Sequence, residues 1–492
     1  MNGWNRRGVL AAGMTVTGAA ITGCGGDPAA AEPVAPTDSA VAAAESVRRA
    51  PGARVVEVGL VAQESTVDLG GTRVRTWSYG GSVPGKEIRV AKGDVLKVRL
   101  VNRLPAETTV HWHGLALRND MDGVPHLNQE AVPPGGEFVY EFTVPDAGTH
   151  WFHPHVGTQL DRGLYAPLIV EDPANPGDHD VEAVLVLDDW LDGVDGRDPD
   201  AELATLKEGM SMGGHEGMDM QMFASDLLGG DAGDVDHPLF LINGRTTADP
   251  FTVNAKPGDK VLLRLINAGA DTAFRFAVVG HELTVVATDG YPVEPVTTGS
   301  LLIGMGERYD VVLTAGEGAF PVVAVAEGKE KRAAAVLRTG SGAVDVAAGV
   351  PELLGRPTTV DDLTTPVAHR LAERAPDVTH DVLLGGDMET YRWTINGALH
   401  PDVPPLTVRE GQRARLVVKN ATTMFHPMHL HGHTFQITGA AGPLRKDTLL
   451  VLPGQEIALD VEAVNPGQWM VHCHNLYHGE AGMMATFSYL RG

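Results

Sequence analysis

Val90-Ala-Lys-Gly93-Asp94-Val-Leu-Lys-Val-Arg-Leu-Val-Asn102 alternates apolar and polar side chains, ends on an asparagine, and returns twice along the chain. The second copy is Asn254-Ala-Lys-Pro-Gly258-Asp-Lys-Val-Leu-Leu-Arg-Leu-Ile-Asn267, and the third is Val408-Arg-Glu-Gly411-Gln-Arg-Ala-Arg-Leu-Val-Val-Lys-Asn420. The step from Gly to Asn is nine residues in all three copies. The last two copies also share a lead-in, Ile242-Asn243-Gly244 and Ile395-Asn396-Gly397. A period of two marks strands with one buried face. Successive Asn positions lie 165 and 153 residues apart, so the repeating unit is a duplicated domain rather than a solenoid turn.

Working outward, the 492 residues suffice for three such units. Alternating runs separated by plentiful Gly (59) and Pro (32) predict an all-β protein of three Greek-key β-sandwich domains, at about 53–173, 180–345 and 375–492. Residues 346–375, with Pro351, Pro357 and Pro366, read as a linker. The formal net charge of −25 repels phosphate backbones, which excludes nucleic acid as a partner. The two cysteines, Cys24 and Cys473, stand in unrelated contexts, so no disulfide framework is implied.

The N-terminus reads as an export signal over residues 1–24. Arg6-Arg7 before a short uncharged stretch resembles a twin-arginine signal, and Ile21-Thr22-Gly23-Cys24 resembles a bacterial lipobox. These features predict an extracytoplasmic protein held to the outer face of the cell membrane by a lipid on Cys24. The Ala/Pro-rich residues 25–52 are expected to be a solvated tether.

The repeat also aligns the histidines. Offsets of nine and eleven residues from the terminal Asn fall on His111 and His113 in the first unit and on His429 and His431 in the third. In the second they fall on Phe276 and Val278. The contrast recurs downstream. The first unit has Gly148-Thr-His-Trp-Phe-His153-Pro-His155 and the third has Gly467-Gln-Trp-Met-Val-His472-Cys473-His474, whereas the second has Ala319-Phe-Pro-Val-Val323. Residues i and i+2 of a strand share a face, roughly 6–7 Å apart. Each His-x-His therefore presents two imidazoles together, and four such pairs converge if the outer domains face each other. Eight neutral nitrogen ligands exceed the needs of one copper and suit three, with positions open for O2. Cys473 points away from its two neighbours. A thiolate with two imidazoles and a weak thioether makes a blue-copper electron-transfer site, and His426, His478 and Met483 can complete it.

The motifs His111-Trp-His113-Gly, His153-Pro-His155, His426-Pro-Met-His429-Leu-His431 and His472-Cys473-His474 through His478 to Met483 together resemble the multicopper oxidase signature over residues 53–492. The resemblance is to three-domain, laccase-like members, closest in character to bacterial copper-resistance cuprous oxidases. It implies three cupredoxin domains and four copper ions. By the family pattern, type 1 copper takes His426, Cys473, His478 and Met483, and type 2 takes His111 and His429. The type 3 pair takes His113, His153, His155, His431, His472 and His474. The implied reaction is four one-electron oxidations at the type 1 site, with Cys473 as ligand and electron path, coupled to four-electron reduction of O2 to water.

The resemblance also implies a role for Asp122, in Met121-Asp-Gly-Val-Pro125, as an acid beside the type 2 site. Gly479 stands where some copper-detoxifying relatives carry Glu, with Glu480 one residue later. Residues 210–222 hold five of the 15 methionines, Met210, Met212, Met218, Met220 and Met222, with His215 among them. Thioethers are soft and select Cu(I), and the segment resembles the Met-rich loops of copper-resistance oxidases, so Cu(I) is the expected donor. A laccase-like oxidation of phenols or other small organic donors is the alternative, and a copper-binding carrier is the non-enzymatic one. His433 is expected to pack rather than ligate, and His126, His150 and His281 to be structural or at the surface. A monomer is expected.

Overall fold

A computed structural model describes residues 31–208, 223–438 and 442–492. The three repeat copies form the strands Val95–Arg103, Lys260–Asn267 and Arg413–Asn420, each central in its sheet. Gly93, Gly258 and Gly411 enter these strands with φ of +87°, +89° and +83° and with open space where a Cβ would stand. The turn itself, rather than crowding, thus demands glycine. The terminal asparagines are fully buried and act alike. Asn102 Nδ2 donates to Ala106 O (2.8 Å) and Val132 O (2.8 Å), Asn267 Nδ2 to Thr272 O (2.9 Å) and Ile303 O (3.1 Å), and Asn420 Nδ2 to Met424 O (2.7 Å) and Val451 O (3.0 Å). One side chain thus satisfies two buried carbonyls where each strand gives way to a loop.

Each unit is two sheets packed face to face over its own core. In every unit the opening strand pairs in parallel with the repeat strand: Val55–Asp68 with Val95–Arg103, Val181–Trp190 with Lys260–Asn267, and Val378–Asp387 with Arg413–Asn420. This is the expected three-domain cupredoxin sandwich. The predicted linker 346–375 forms three short 3₁₀ turns and is fastened to the second domain through the Leu301–Thr358 bridge and the buried Leu363.

The first and third domains press directly together. Asn119 Nδ2 and Asn128 Nδ2 both donate to Gln468 O, and Asn465 Nδ2 donates to Leu117 O. The expectation of a solvated tether over 25–52 fails from residue 31 onward. Pro33 bridges Leu490, and the helix Ser39–Arg48 is capped by Asp38. Val34 and Val41 enter the core of the third domain, while Glu45 accepts bonds from Thr143 N and Oγ1 of the first. An Ala-rich run is as compatible with helix as with coil, and docking decides between them. Cys24, the export signal and Met210, Met212, His215, Met218, Met220 and Met222 lie outside the described residues. Among the described residues no helix is long and apolar enough to cross a membrane.

Candidate metal centres

The imidazoles expected to converge do so at the seam between the first and third domains. In each domain two adjacent strands supply them. His111 is paired with His153 across His111–His113 and Gly148–His153, and His429 with His472 across His426–Leu430 and Gln468–Cys473. The two sets interleave: His113 stacks on His429 at 3.8 Å between ring centroids and His111 on His431 at 3.7 Å. His155 lies 5.1 Å from His431 and 4.9 Å from His472, and His474 lies 5.3 Å from His153.

Outer partners set which nitrogen of each ring faces inward. His111, His153, His429 and His472 are held at Nδ1 by the carbonyls of Asp122, Pro154, Asp447 and Cys473 at 2.9–3.0 Å. His113 is turned the other way, with Nε2 on Thr448 Oγ1 (3.2 Å). The inward atoms, Nε2 of His111, His153 and His429, Nδ1 of His113 and both nitrogens of His474, are buried without a partner. Leaving such an atom unmet costs about 1–3 kcal/mol each, so a cluster of them suits a cation. Burial, reinforced by neighbouring imidazoles, holds His153, His155, His472 and His474 well below the ordinary imidazole range. Burial acts likewise on His113 and His431. Neutral rings keep their lone pairs available, and the residues fit a copper cluster.

On the opposite face of the same strand lies the second site. Cys473 Sγ is 3.6 Å from His426 Nδ1 and 3.8 Å from His478 Nδ1, and those two nitrogens are 3.0 Å apart. Their far nitrogens are fixed, His426 Nε2 by Thr422 Oγ1 and His478 Nε2 by Asp234 Oδ2, both at 2.8 Å. Met483 is fully buried, donates its N–H to His478 O and accepts from Cys473 N. Burial pushes the Cys473 thiol above its usual range, so the thiolate form requires a cation. The donor set of one sulfur and two imidazoles, with a buried thioether close in the chain, fits a single copper.

Asp122 is fully buried, with Oδ2 2.8 Å from His431 Nδ1 and Oδ1 3.2 Å from His111 Nδ1. Glu480 lines a cavity of about 30 Å³ with His153, His155, His472 and His474, and burial pushes its carboxyl up. That volume admits one or two water-sized molecules. His433 packs as expected, bonded to His431 O and Tyr489 OH, while His281 joins Val279 O and Gly316 N. His150 is buried and His126 exposed. Sequence reasoning missed Asp234, Asp447, Thr422 and Thr448, single polar residues whose positions carry no motif.

Three family models described as multicopper oxidase match residues 61–175, 184–342 and 374–491. The chain is a multicopper oxidase. It is 47% identical to the multicopper oxidase MmcO of Mycobacterium tuberculosis, over 99% of this chain and 97% of the relative. It is 27% identical to copper resistance protein A of Escherichia coli, over 85% and 90% of the two chains. The laccase structure from Botrytis aclada superposes with a TM-score of 0.72 at 26% identity, covering 89% of this chain and 88% of the laccase. As a multicopper oxidase the protein carries four coppers, one type 1, one type 2 and a type 3 pair, and couples oxidation of Cu(I) or organic donors to reduction of O2 to water.

Proposed function

We propose that this multicopper oxidase takes Cu(I) as its donor and serves copper tolerance outside the cytoplasm. Type 1 copper is assigned to His426, Cys473, His478 and Met483, type 2 to His111 and His429, and the type 3 pair to His113, His153, His155, His431, His472 and His474. When bound, these ions supply one-electron acceptance at the first site and four-electron delivery to O2 at the cluster. The chain supplies the rest. Cys473 carries electrons from its thiolate along one backbone step to His472 and His474. Asp122 lies between His111 and His431, placed to pass a proton to the cluster, and Glu480, whose carboxyl burial pushes up, holds a proton at the cavity wall.

The observation that carries the donor assignment is where the Met-rich segment is moored. Its N-terminal side ends in the helix Pro199–Glu208, whose Lys207 donates to Glu480 O, two residues beyond His478. Its C-terminal side begins at Phe223, packed in one cluster with Phe425, the neighbour of His426. Both ends of a soft-ligand segment are thus tied to residues that lie one or two positions along the chain from the two assigned type 1 imidazoles. Deleting 210–222 should lower Cu(I) oxidation severalfold and spare a small organic donor. Equal loss of both would refute the assignment. Oxidation of organic donors is the second reading, supported by the likeness to the Botrytis laccase, and turnover on a bulky phenol measures it. Export through the Arg6-Arg7 signal, lipid attachment at Cys24 and a monomeric state complete the proposal. Fatty-acid labelling that persists in Cys24→Ala would overturn the anchor.

A further inference from the structure

The second domain lacks copper ligands, yet it sends one guanidinium to the cluster. The strands Leu283–Thr288 and Tyr291–Thr298 are joined by Asp289-Gly290, both with positive φ, the two-residue hairpin turn that Asp-Gly favours. This tip reaches the junction of all three domains. Asp289 Oδ1 accepts from Arg308 N (2.9 Å), and Asp289 Oδ2 accepts from Thr448 N (3.1 Å). Arg308, fully buried, then forks onto the third domain: Nη1 donates to Asp447 Oδ1 (2.6 Å) and Nη2 to Asp447 Oδ2 (2.5 Å). Its Nε donates to Thr149 O of the first domain (3.1 Å).

Asp447 is where this fork meets the imidazoles. Its Oδ1 lies 3.4 Å from His113 Nε2 and 3.5 Å from His429 Nδ1, and accepts from Thr448 Oγ1 (2.8 Å). That hydroxyl in turn touches His113 Nε2 (3.2 Å) and His429 Nδ1 (3.0 Å). The glycine closing the His111-Trp-His113-Gly motif belongs to the same device. Gly114 has φ of +87°, and a Cβ there would overlap Arg308 Nη2 and crowd Asp447 Oδ2. The motif glycine thus leaves room for a charge pair contributed by the other two domains.

We infer that Arg308 is a positioning residue for the cluster: through its bidentate hold on Asp447 it fixes His429 and His113, and with them retention of type 2 copper. The inference rests on the ligand assignment above, in which His429 serves type 2 and His113 serves type 3. A planar fork sets the direction of a carboxylate in a way that a point charge does not. Loss of such outer support lowers metal affinity by roughly 10–100-fold.

Two variants test it, Arg308→Met, which removes charge and fork, and Arg308→Lys, which keeps the charge so that Asp447 is not left unpaired. Copper-loaded protein is titrated with a chelator. Type 2 copper is followed by electron paramagnetic resonance, type 1 by the blue absorption, and total copper by metal analysis. The expected result is a type 2 affinity lowered roughly 10–100-fold in Arg308→Met and less in Arg308→Lys, with type 1 unchanged. Wild-type type 2 affinity in folded Arg308→Lys would overturn the inference. Parallel loss of type 1 and type 2 copper would also overturn it, since that marks a general scaffold role. If Arg308→Met fails to fold, Arg308→Lys decides alone. A wild-type protein without a type 2 signal would instead refute the ligand assignment, so the two failures are distinct.

Discussion

Replacing Asp234 with Asn should raise the type 1 reduction potential by about 100 mV. Asp234 Oδ2 accepts from His478 Nε2 (2.8 Å) and from Tyr391 OH (2.7 Å), its Oδ1 is buried without a partner, and its side chain is fully shielded. The carboxylate sits one imidazole and one hydrogen bond from the type 1 position. Taking that as roughly 6 Å at an effective dielectric of about 20, a unit negative charge favours each added positive charge on the site by ~3 kcal/mol. The oxidised state has one more positive charge than the reduced state, so the carboxylate stabilises oxidation and its removal raises the potential. For a one-electron couple, ~1.4 kcal/mol corresponds to about 59 mV, so ~3 kcal/mol is on the order of 100 mV. Asn keeps the size and can still accept from His478 Nε2, which leaves the ring orientation in place. The assay is a redox titration of the blue band on folded, copper-loaded protein. A shift below about 30 mV, or a shift downward, would refute the electrostatic reasoning.

Other changes act at separate points. Asp122→Asn and Glu480→Gln each remove a carboxyl group placed to relay protons beside the cluster. Since positioned acids and bases contribute roughly 10²–10⁴-fold, the blue colour bleached by a donor should return in air at least about tenfold more slowly, with bleaching itself unaffected. Unchanged reoxidation in both would remove these residues from the mechanism. Glu45→Ala strips the bonds to Thr143 N and Oγ1 and the Arg49 pair. It should cost about 1–3 kcal/mol, measured as a lower thermal midpoint and faster proteolysis within 31–50. An unchanged cleavage rate would show that the N-terminal helix does not clamp the first and third domains.

Local rules made most of the fold and the grouping of side chains in both candidate metal centres legible. Alternation named the strands, and the i, i+2 rule paired His111 with His113 and His429 with His431 and turned Cys473 away from His472 and His474. What stayed hidden shares one property: its meaning is set across the domain boundaries. Asp234 lies in Gly-Asp-Ala-Gly-Asp-Val-Asp, which reads as a polar turn, and meets His478 from 244 residues away. Arg308 reads as one more outward charge on a strand, and meets Asp447 139 residues on. Residues 31–50 misled for a related reason. Isolated helices of such length are marginal, and docking against the first and third domains, with Val41 and Glu45 buried there, holds this one.

The charge distribution explains why a middle domain without ligands is integral to the enzyme. Ten imidazoles and a thioether are neutral, so among the twelve assigned ligands Cys473 alone is anionic. Buried cations require counter-charge close by. Three fully buried carboxylates provide it: Asp122 beside His111 and His431, Asp447 beside His113 and His429, and Asp234 beside His478. Asp122 and Asp447 come from the outer domains, but Asp234 belongs to the middle one. Burial raises a carboxyl group, whereas the Arg308 guanidinium, also from the middle domain, holds Asp447 well below the usual carboxylate range. Where the outer domains place His pairs, the middle domain has the fully buried Phe276 and Val278 of its own core. Under the proposed ligand assignment, its share of the chemistry is therefore carried at its edges, by Asp234 and Arg308, where it can set charge and direction at both candidate copper sites.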